Sequence, residues 1–191
     1  MGTLEILAQG FGIFGMVFMI LSYQVKSQRG LITVQLFGAV FFFFNFLFLG
    51  IAQNTILAGM LLNVIGILRC IVFTNKERFH AEKRIWLFGF IASYILTYVL
   101  MFTLLGVEPN AKNLVVEFLP VVGMTASNIA FFKSDARSVR LFGFIASPAW
   151  LIYDVVRFTL GGVITEVLSL VSIVIGLIRY DIKKREPEDL A

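Results

Sequence analysis

The sequence predicts an all-α integral membrane protein with seven transmembrane helices, its amino terminus outside and its carboxyl terminus in the cytoplasm. It holds seven apolar stretches of about 17–25 residues, the length that an α-helix needs to cross the hydrocarbon core of a bilayer. Lysine and arginine are concentrated in alternate gaps between these stretches. Hydrophobic residues make up 59% of the chain and the mean hydropathy is +0.90, which leaves no room for a water-soluble domain of ordinary composition.

The stretches define a single membrane domain over residues 1–191. They lie at 7–25, 31–50, 55–74, 85–106, 113–132, 138–160 and 163–180, and a short acidic tail over 181–191 is predicted to be cytoplasmic. Glu5 and no lysine or arginine precede the first stretch, and no small-residue cleavage site is evident. We therefore expect a first transmembrane helix and not a signal peptide.

Basic residues fix the predicted orientation, because short loops rich in lysine and arginine stay in the cytoplasm. The odd-numbered gaps and the tail hold Lys26, Arg29, Lys76, Arg78, Lys83, Arg84, Lys133, Arg137, Arg140, Lys183, Lys184 and Arg185. The even-numbered gaps hold only Lys112, and Arg157 lies near the end of the sixth stretch. The net charge of +4 is therefore interpreted as topology signals that attract anionic lipid, and not as a nucleic-acid site.

An internal duplication predicts two parallel three-helix units, over 7–74 and 113–180, joined by a linker helix over 85–106. Three short segments recur in the same order. They are Lys26-Ser27 and Lys133-Ser134, Gln35-Leu36-Phe37-Gly38 and Arg140-Leu141-Phe142-Gly143, and Gly66-Ile67-Leu68-Arg69 and Gly176-Leu177-Ile178-Arg179. Parallel repeats of this kind are related by an axis along the membrane normal.

This three-plus-one-plus-three plan resembles the SWEET and PQ-loop transporter superfamily. Those proteins have a lysine–serine pair followed by glycine–leucine after the first helix, and Lys26-Ser27-Gln28-Arg29-Gly30-Leu31 is similar to that segment. The whole chain resembles the YgjV-type bacterial inner-membrane proteins in the segments 22–27, 148–153 and 172–180. The resemblance implies a bacterial inner-membrane location and a transporter build in which Asn63 lines the substrate site. The Pro-Gln pair is absent, and only Pro120 and Pro148 remain as predicted hinges.

Polar side chains within the spans are the candidate substrate-binding residues, because such side chains are costly in hydrocarbon and face the bundle interior. The predicted set is Asn63, Ser172, Trp150, Asn45 and Asn128. Amide and hydroxyl groups beside an aromatic face suit a neutral, hydroxyl-bearing small molecule. The alternative is that the asparagines only hydrogen-bond between helices, which we favour for Asn45.

An outer gate is predicted from Asp154, Arg157, Glu166 and Glu117. The first two lie three residues apart and share a helix face, so that they can form an ion pair. Proton coupling at Asp154 is a further alternative. Carboxylates at helix starts also complement the helix dipole, which would explain Glu117 and Glu166 without function. Arg69 and Arg179 are expected to extend to the headgroups at the cytoplasmic face.

No motif of a membrane enzyme is present, so we expect no enzymatic activity, metal or cofactor. The sequence has one histidine and one cysteine, Cys70. The leading hypothesis is a small-molecule transporter that works by alternating access. The expected partners are the lipid bilayer and a small-molecule substrate, and a second copy of the chain is a further candidate partner. The alternative is a non-transporting membrane protein, such as an assembly partner or sensor, on the same fold.

Overall fold

The computed structural model describes residues 2–53, 58–156 and 160–182, and their regular structure is entirely helical. The helices are α1 (Thr3–Ser22), α2 (Gln28–Gln53), α3 (Ala58–Thr74), the short α4 (Lys76–Phe79), α5 (Arg84–Thr103), α6 (Ala111–Phe132), α7 (Ala136–Val156) and α8 (Leu160–Leu177), which continues into a π-helical turn (Ile178–Ile182). Six of them, α1, α2, α5, α6, α7 and α8 with its π-turn, are long and apolar enough to cross a membrane.

The third predicted stretch corresponds to α3, which is shorter than the other long helices. Its apolar part spans Met60–Thr74. Its predicted start at 55–57 lies outside the described residues, as do residues 157–159 at the end of the sixth stretch. Each helix of this length satisfies its own backbone hydrogen bonds, which the hydrocarbon core of a bilayer requires. Over the residues that the structure describes, the protein is therefore all-helical, with six candidate membrane spans and one further apolar helix.

Polar side chains accept hydrogen bonds from main-chain amides at the starts of α6 and α7. The Asn110 side chain accepts a hydrogen bond from the Asn113 amide at 2.9 Å and so caps the start of α6. Before α7, the Asp135 carboxylate accepts from both the amide and the hydroxyl of Ser138, at 2.6 and 2.8 Å. Pro120 and Pro148 lie inside α6 and α7, so each of these helices lacks one intrahelical hydrogen bond there.

The helices pack as two consecutive sets. In one set α1 packs against α2 and α2 against α3, and in the other α6 packs against α7 and α7 against α8. Between the sets, α1 contacts α8, α2 contacts α7 and α3 contacts α6; we call this contact region the seam. Helix α5 packs against α6 and α3.

One end of the bundle carries the loops 23–27, 75–83 and 133–135, and we call it the basic end. Here Arg140, whose side chain is fully buried, links the two sets. Its guanidinium donates to the carbonyl oxygens of Tyr23 at 3.1 Å and Val25 at 2.6 Å, and forms an ion pair with Asp181 at 3.0 Å. The carbonyls at the carboxyl end of α1, which lack partners within the helix, thus receive charged donors from α7.

The other set receives the matching contact at the carboxyl end of α6. The Lys76 ammonium donates to the carbonyl oxygens of Phe132 at 3.3 Å and Lys133 at 3.1 Å. The Gln28 amide donates to those of Ala130 and Phe131 at 3.2 and 3.3 Å, and also to that of Lys133. Each set therefore caps the first long helix of the other, and both caps lie at the basic end.

Substitution of Gly176 by alanine is expected to destabilise the protein, because a Cβ there would meet the Tyr23 carbonyl oxygen and come within 2.9 Å of Arg140 Nε. Neither group can move without breaking the cap on α1, and overpacking of this kind costs about 1–3 kcal/mol. Gly161→Ala on the same helix meets no atom within 4 Å and serves as the control. The measurement is the apparent melting temperature of the purified variants; equal temperatures would contradict the prediction.

Arg140→Leu is expected to lower the free energy of unfolding by about 3–5 kcal/mol, since it leaves the partly buried carboxylate of Asp181 and two main-chain carbonyls without their donor. Arg137→Leu is the matched control, because Arg137 lies one turn away on α7 and is exposed. Thermal unfolding in detergent compares the two. A loss shared equally by both variants would show that general charge, and not the cap, sets the stability.

Candidate functional site

Polar side chains from both sets meet in the seam between α1 and α8. The Ser172 hydroxyl, which is buried, donates to the Ile20 carbonyl at 2.6 Å. The Gln24 amide donates to both the hydroxyl and the carbonyl oxygen of Ser172, each at 2.8 Å. Ser172 was predicted as a binding residue, and it lies where the first and last long helices touch.

A second group of buried polar side chains lies where α1, α2 and α7 meet. Gln35 donates to the Ser22 hydroxyl at 3.2 Å. The Tyr23 hydroxyl lies near the side chains of Gln35 and Ser147. Burial, and then the nearby carboxyl group of Glu166, raise the pKa of Tyr23, so the phenol remains a neutral hydrogen-bonding group.

The carboxyl groups of α7 and α8 continue this group along the seam. The Ser147 side chain lies near the carboxyl group of Glu166, which is close enough to Asp154 for the two charges to interact. The Asp154 carboxyl group occupies the space that a Cβ on Gly162 would fill, so α7 and α8 approach closely at this point. Glu166 and Asp154 of the predicted gate therefore lie together. Arg157 lies outside the described residues.

Glu117, the fourth predicted gate residue, is 3% exposed and lies roughly two turns past the start of α6 at Ala111. The expectation that it opens a helix near the outer surface is wrong, because α6 begins earlier than the apolar stretch suggested.

Three predicted binding residues do not belong to the two polar groups described above, because their contacts join other pairs of helices. The Asn45 amide donates to the Ala8 carbonyl at 2.7 Å, which joins α2 to α1 within one set and fits the alternative of interhelical hydrogen bonding. The fully buried Asn128 donates to the Leu87 carbonyl of α5 at 2.9 Å. Trp150 packs from α7 onto Gly123 of α6, where a Cβ would come within 2.8 Å of its indole nitrogen. Asn63 is half-buried on α3.

Arg69 is 7% exposed, so the expectation that it extends to the headgroups is wrong. Its guanidinium donates to the Met124 carbonyl at 3.1 Å and the Tyr94 hydroxyl at 3.4 Å, and it lies 4.7 Å from the ring centroid of Phe131. It thus joins α3 to α5 and α6. Arg179, its counterpart in the duplication, is exposed and lies over the Tyr180 ring at 5.3 Å, which is compatible with the expectation.

Sequence reasoning missed Tyr23, Gln35 and Ser147 as a group. Each had a signal in the sequence. Tyr23 stands before Gln24, where the PQ-loop proteins have the proline of their Pro-Gln pair, and Gln35 opens one of the repeated segments. Ser147 ends the segment 141–147, whose seven residues repeat those of 87–93. Their convergence depends on which helix faces meet, and hydropathy does not give that. Across residues 2–53, 58–156 and 160–182, no three or more His, Cys, Asp or Glu side chains are grouped to hold a metal ion.

Comparison with known families identifies the chain over almost its whole length. Residues 6–184 match the family model Imp-YgjV, described as bacterial inner membrane protein. No curated protein and no solved structure matches the chain. The location agrees with the six apolar helices that could span a membrane. The chain therefore belongs to the Imp-YgjV family of bacterial inner membrane proteins.

Proposed function

We propose that the protein is a small-molecule transporter of SWEET-like build that works by alternating access. In this proposal α1–α3 and α6–α8 are two parallel three-helix units, α5 is the linker, and α3 is a seventh span. The basic end faces the cytoplasm, because short loops rich in lysine and arginine are retained there. The substrate is a sugar or a similar small polar metabolite, which is moved without being chemically altered.

The pattern of helix contacts supports two related units. Exchanging α1 with α6, α2 with α7 and α3 with α8 converts the α1–α8 contact into the α6–α3 contact and leaves the α2–α7 contact unchanged. This is the pattern that a two-fold axis through the seam would produce. Such an axis along the membrane normal is typical of transporters built from parallel repeats.

The observation that carries the proposal is the row of buried polar side chains in the seam. Gln24 and Gln35 come from one unit and Ser147 and Ser172 from the other, and Gln35, Ser147 and Ser172 are each buried. Polar groups inside membrane-spanning helices are costly and mark binding sites or ion paths. Their hydroxyl and amide groups can exchange interhelical hydrogen bonds for bonds to a neutral polar substrate. Asn63 and Trp150 would contribute as the seam rearranges.

The two ends of the seam are closed in different ways, as alternating access requires. The buried Arg140 and the half-buried Lys76 hold the basic end shut by charge-assisted hydrogen bonds to main-chain carbonyls. At the other end the closing groups are Asp154 and Glu166. Opening toward the cytoplasm would break the first set of contacts, with bending at Pro120 and Pro148 inside α6 and α7.

The alternative function, a non-transporting membrane protein, is favoured by the packing of α1 against α2. Phe11, Phe14 and Phe18 of α1 lie against phenylalanines of α2, with ring centroids 5.3–5.9 Å apart. This contact leaves little room for internal movement of the first unit. The hydroxyl of Ser172 is also already satisfied by Gln24 and Ile20.

Accessibility of the seam distinguishes the two functions. The thiol introduced by Ser147→Cys, in a Cys70→Ser background, is buried while both ends of the seam are closed. It is expected to react with a membrane-impermeant maleimide when the seam opens, because alternating access exposes this position to one side of the membrane at a time. A panel of sugars, nucleosides and amino acids is then tested for a compound that slows this labelling. The measurement is the labelling rate in right-side-out and inside-out vesicles.

Ile152→Cys in the same background is the control, since Ile152 lies on the same helix and is 51% exposed toward the surroundings of the bundle. In lipid its thiol stays protonated and unreactive. If the Ser147→Cys thiol is inert from both sides while the variant stays folded, transport through the seam is excluded and the non-transporting function is supported.

A further inference from the structure

A cavity of about 250 Å³ opens at the basic end, apart from the seam contacts of Ser147 and Glu166. It lies between the start of α2, the end of α3 and the short α4. Its lining residues are Gln28, Arg29, Phe73, Thr74, Asn75, Lys76, Glu77 and Arg78. A water molecule occupies about 30 Å³ in the liquid, so the cavity exceeds the space that a single ion requires.

The charge of the lining is strongly unequal. Three cations, Arg29, Lys76 and Arg78, face the cavity against the single carboxylate of Glu77. Within the part of the chain that the structure describes, none of these three cations forms an ion pair. Arg29 and Arg78 are exposed, and Arg78 lies 5.8 Å from the ring centroid of Phe79. Both guanidinium groups can therefore reach a ligand without breaking an existing ion pair.

Neutral groups of the lining add hydrogen-bonding capacity. The Thr74 hydroxyl oxygen is buried and has no hydrogen-bond partner among the described residues. A buried polar atom left without a partner is unusual in native structures, and a bound ligand would supply one. The first residues of α2 also line the cavity, and the positive end of that helix dipole favours an anion there.

Lys76 connects this cavity to the cap on α6. Burial lowers the pKa of Lys76, and the carboxylate of Asp135 opposes that shift only in part. An anion in the cavity would favour the charged ammonium, and with it the hydrogen bonds to the Phe132 and Lys133 carbonyls. Occupancy of the cavity would thereby strengthen the closed basic end.

We propose that this cavity binds the phosphate group of an anionic ligand, held by the guanidinium groups of Arg29 and Arg78 and the hydroxyl of Thr74. Phosphate oxygens accept several hydrogen bonds at once, and guanidinium groups match their geometry. The open side of the cavity leaves space for the ester group. A lipid headgroup and a soluble phosphate ester share this chemistry. The proposal does not depend on transport.

The test uses the full-length protein and two kinds of probe. Inorganic phosphate and glycerol 3-phosphate are titrated at constant ionic strength, with chloride as the reference, and the dissociation constant is obtained from the rise in melting temperature. Separately, the protein is placed in nanodiscs of phosphatidylcholine with or without phosphatidylglycerol, and retained lipid is counted by native mass spectrometry. The cavity variant is Arg29→Gln with Arg78→Gln.

The control variant is Lys83→Gln with Arg137→Gln, which removes the same charge from exposed positions of the basic end outside the cavity lining. Each guanidinium removed from the cavity is expected to weaken binding about tenfold, and the control variant should bind like the wild type. Binding of the soluble probes indicates a soluble ester, whereas retention of phosphatidylglycerol alone indicates a lipid. Equal weakening in both variants, or no binding of any probe, would overturn the proposal.

Discussion

The rest of the structure depends on how the last carbonyl groups of α1 and α6 find hydrogen-bond donors at the basic end. A helix leaves its last carbonyls without partners, and α1 and α6 end where another part of the protein covers them. Each receives donors from the opposite set, α1 from the fully buried Arg140 and α6 from Lys76. Because the donors are charged and the acceptors belong to the main chain, the two sets cannot slide past each other without breaking these contacts. Gly176 permits the approach on the α1 side.

These contacts give several basic residues two roles. Positive charge retains a short loop in the cytoplasm whatever the side chain touches, whereas a cap requires a donor at a particular distance and direction. Arg137 and Arg140 lie three residues apart at the start of α7, yet one is exposed and the other is fully buried. A count of charges therefore predicts orientation and says nothing of which cation joins the helices. That choice follows from the helix face that each residue occupies.

The sequence predicted which segments form membrane helices, but it could not predict which face of each helix meets a neighbour. Apolar length alone predicted α1, α2, α5, α6, α7 and α8, because the bilayer imposes that length. A membrane helix that is apolar on all sides carries little information about which face meets a neighbour. Asn45 was thus placed correctly in a span, while its bond to Ala8 within the first set depended on helix rotation. Arg69 and Arg179 end the same repeated segment, yet only Arg69 is buried.

Divergence between the repeats gives the seam its chemical character. Gln35 and Arg140 open the same repeated segment, but Gln35 lies beside Ser22 and Tyr23 in the seam, whereas Arg140 caps α1. A strictly symmetric seam would offer a ligand two equivalent orientations. Here the carboxyl groups come from α7 and α8, and the phenol comes from the end of α1, so the polar groups differ between the two sets of helices. If the protein is the transporter that we propose, a small polar substrate between these groups would be held in one orientation and would contact both sets of helices at once.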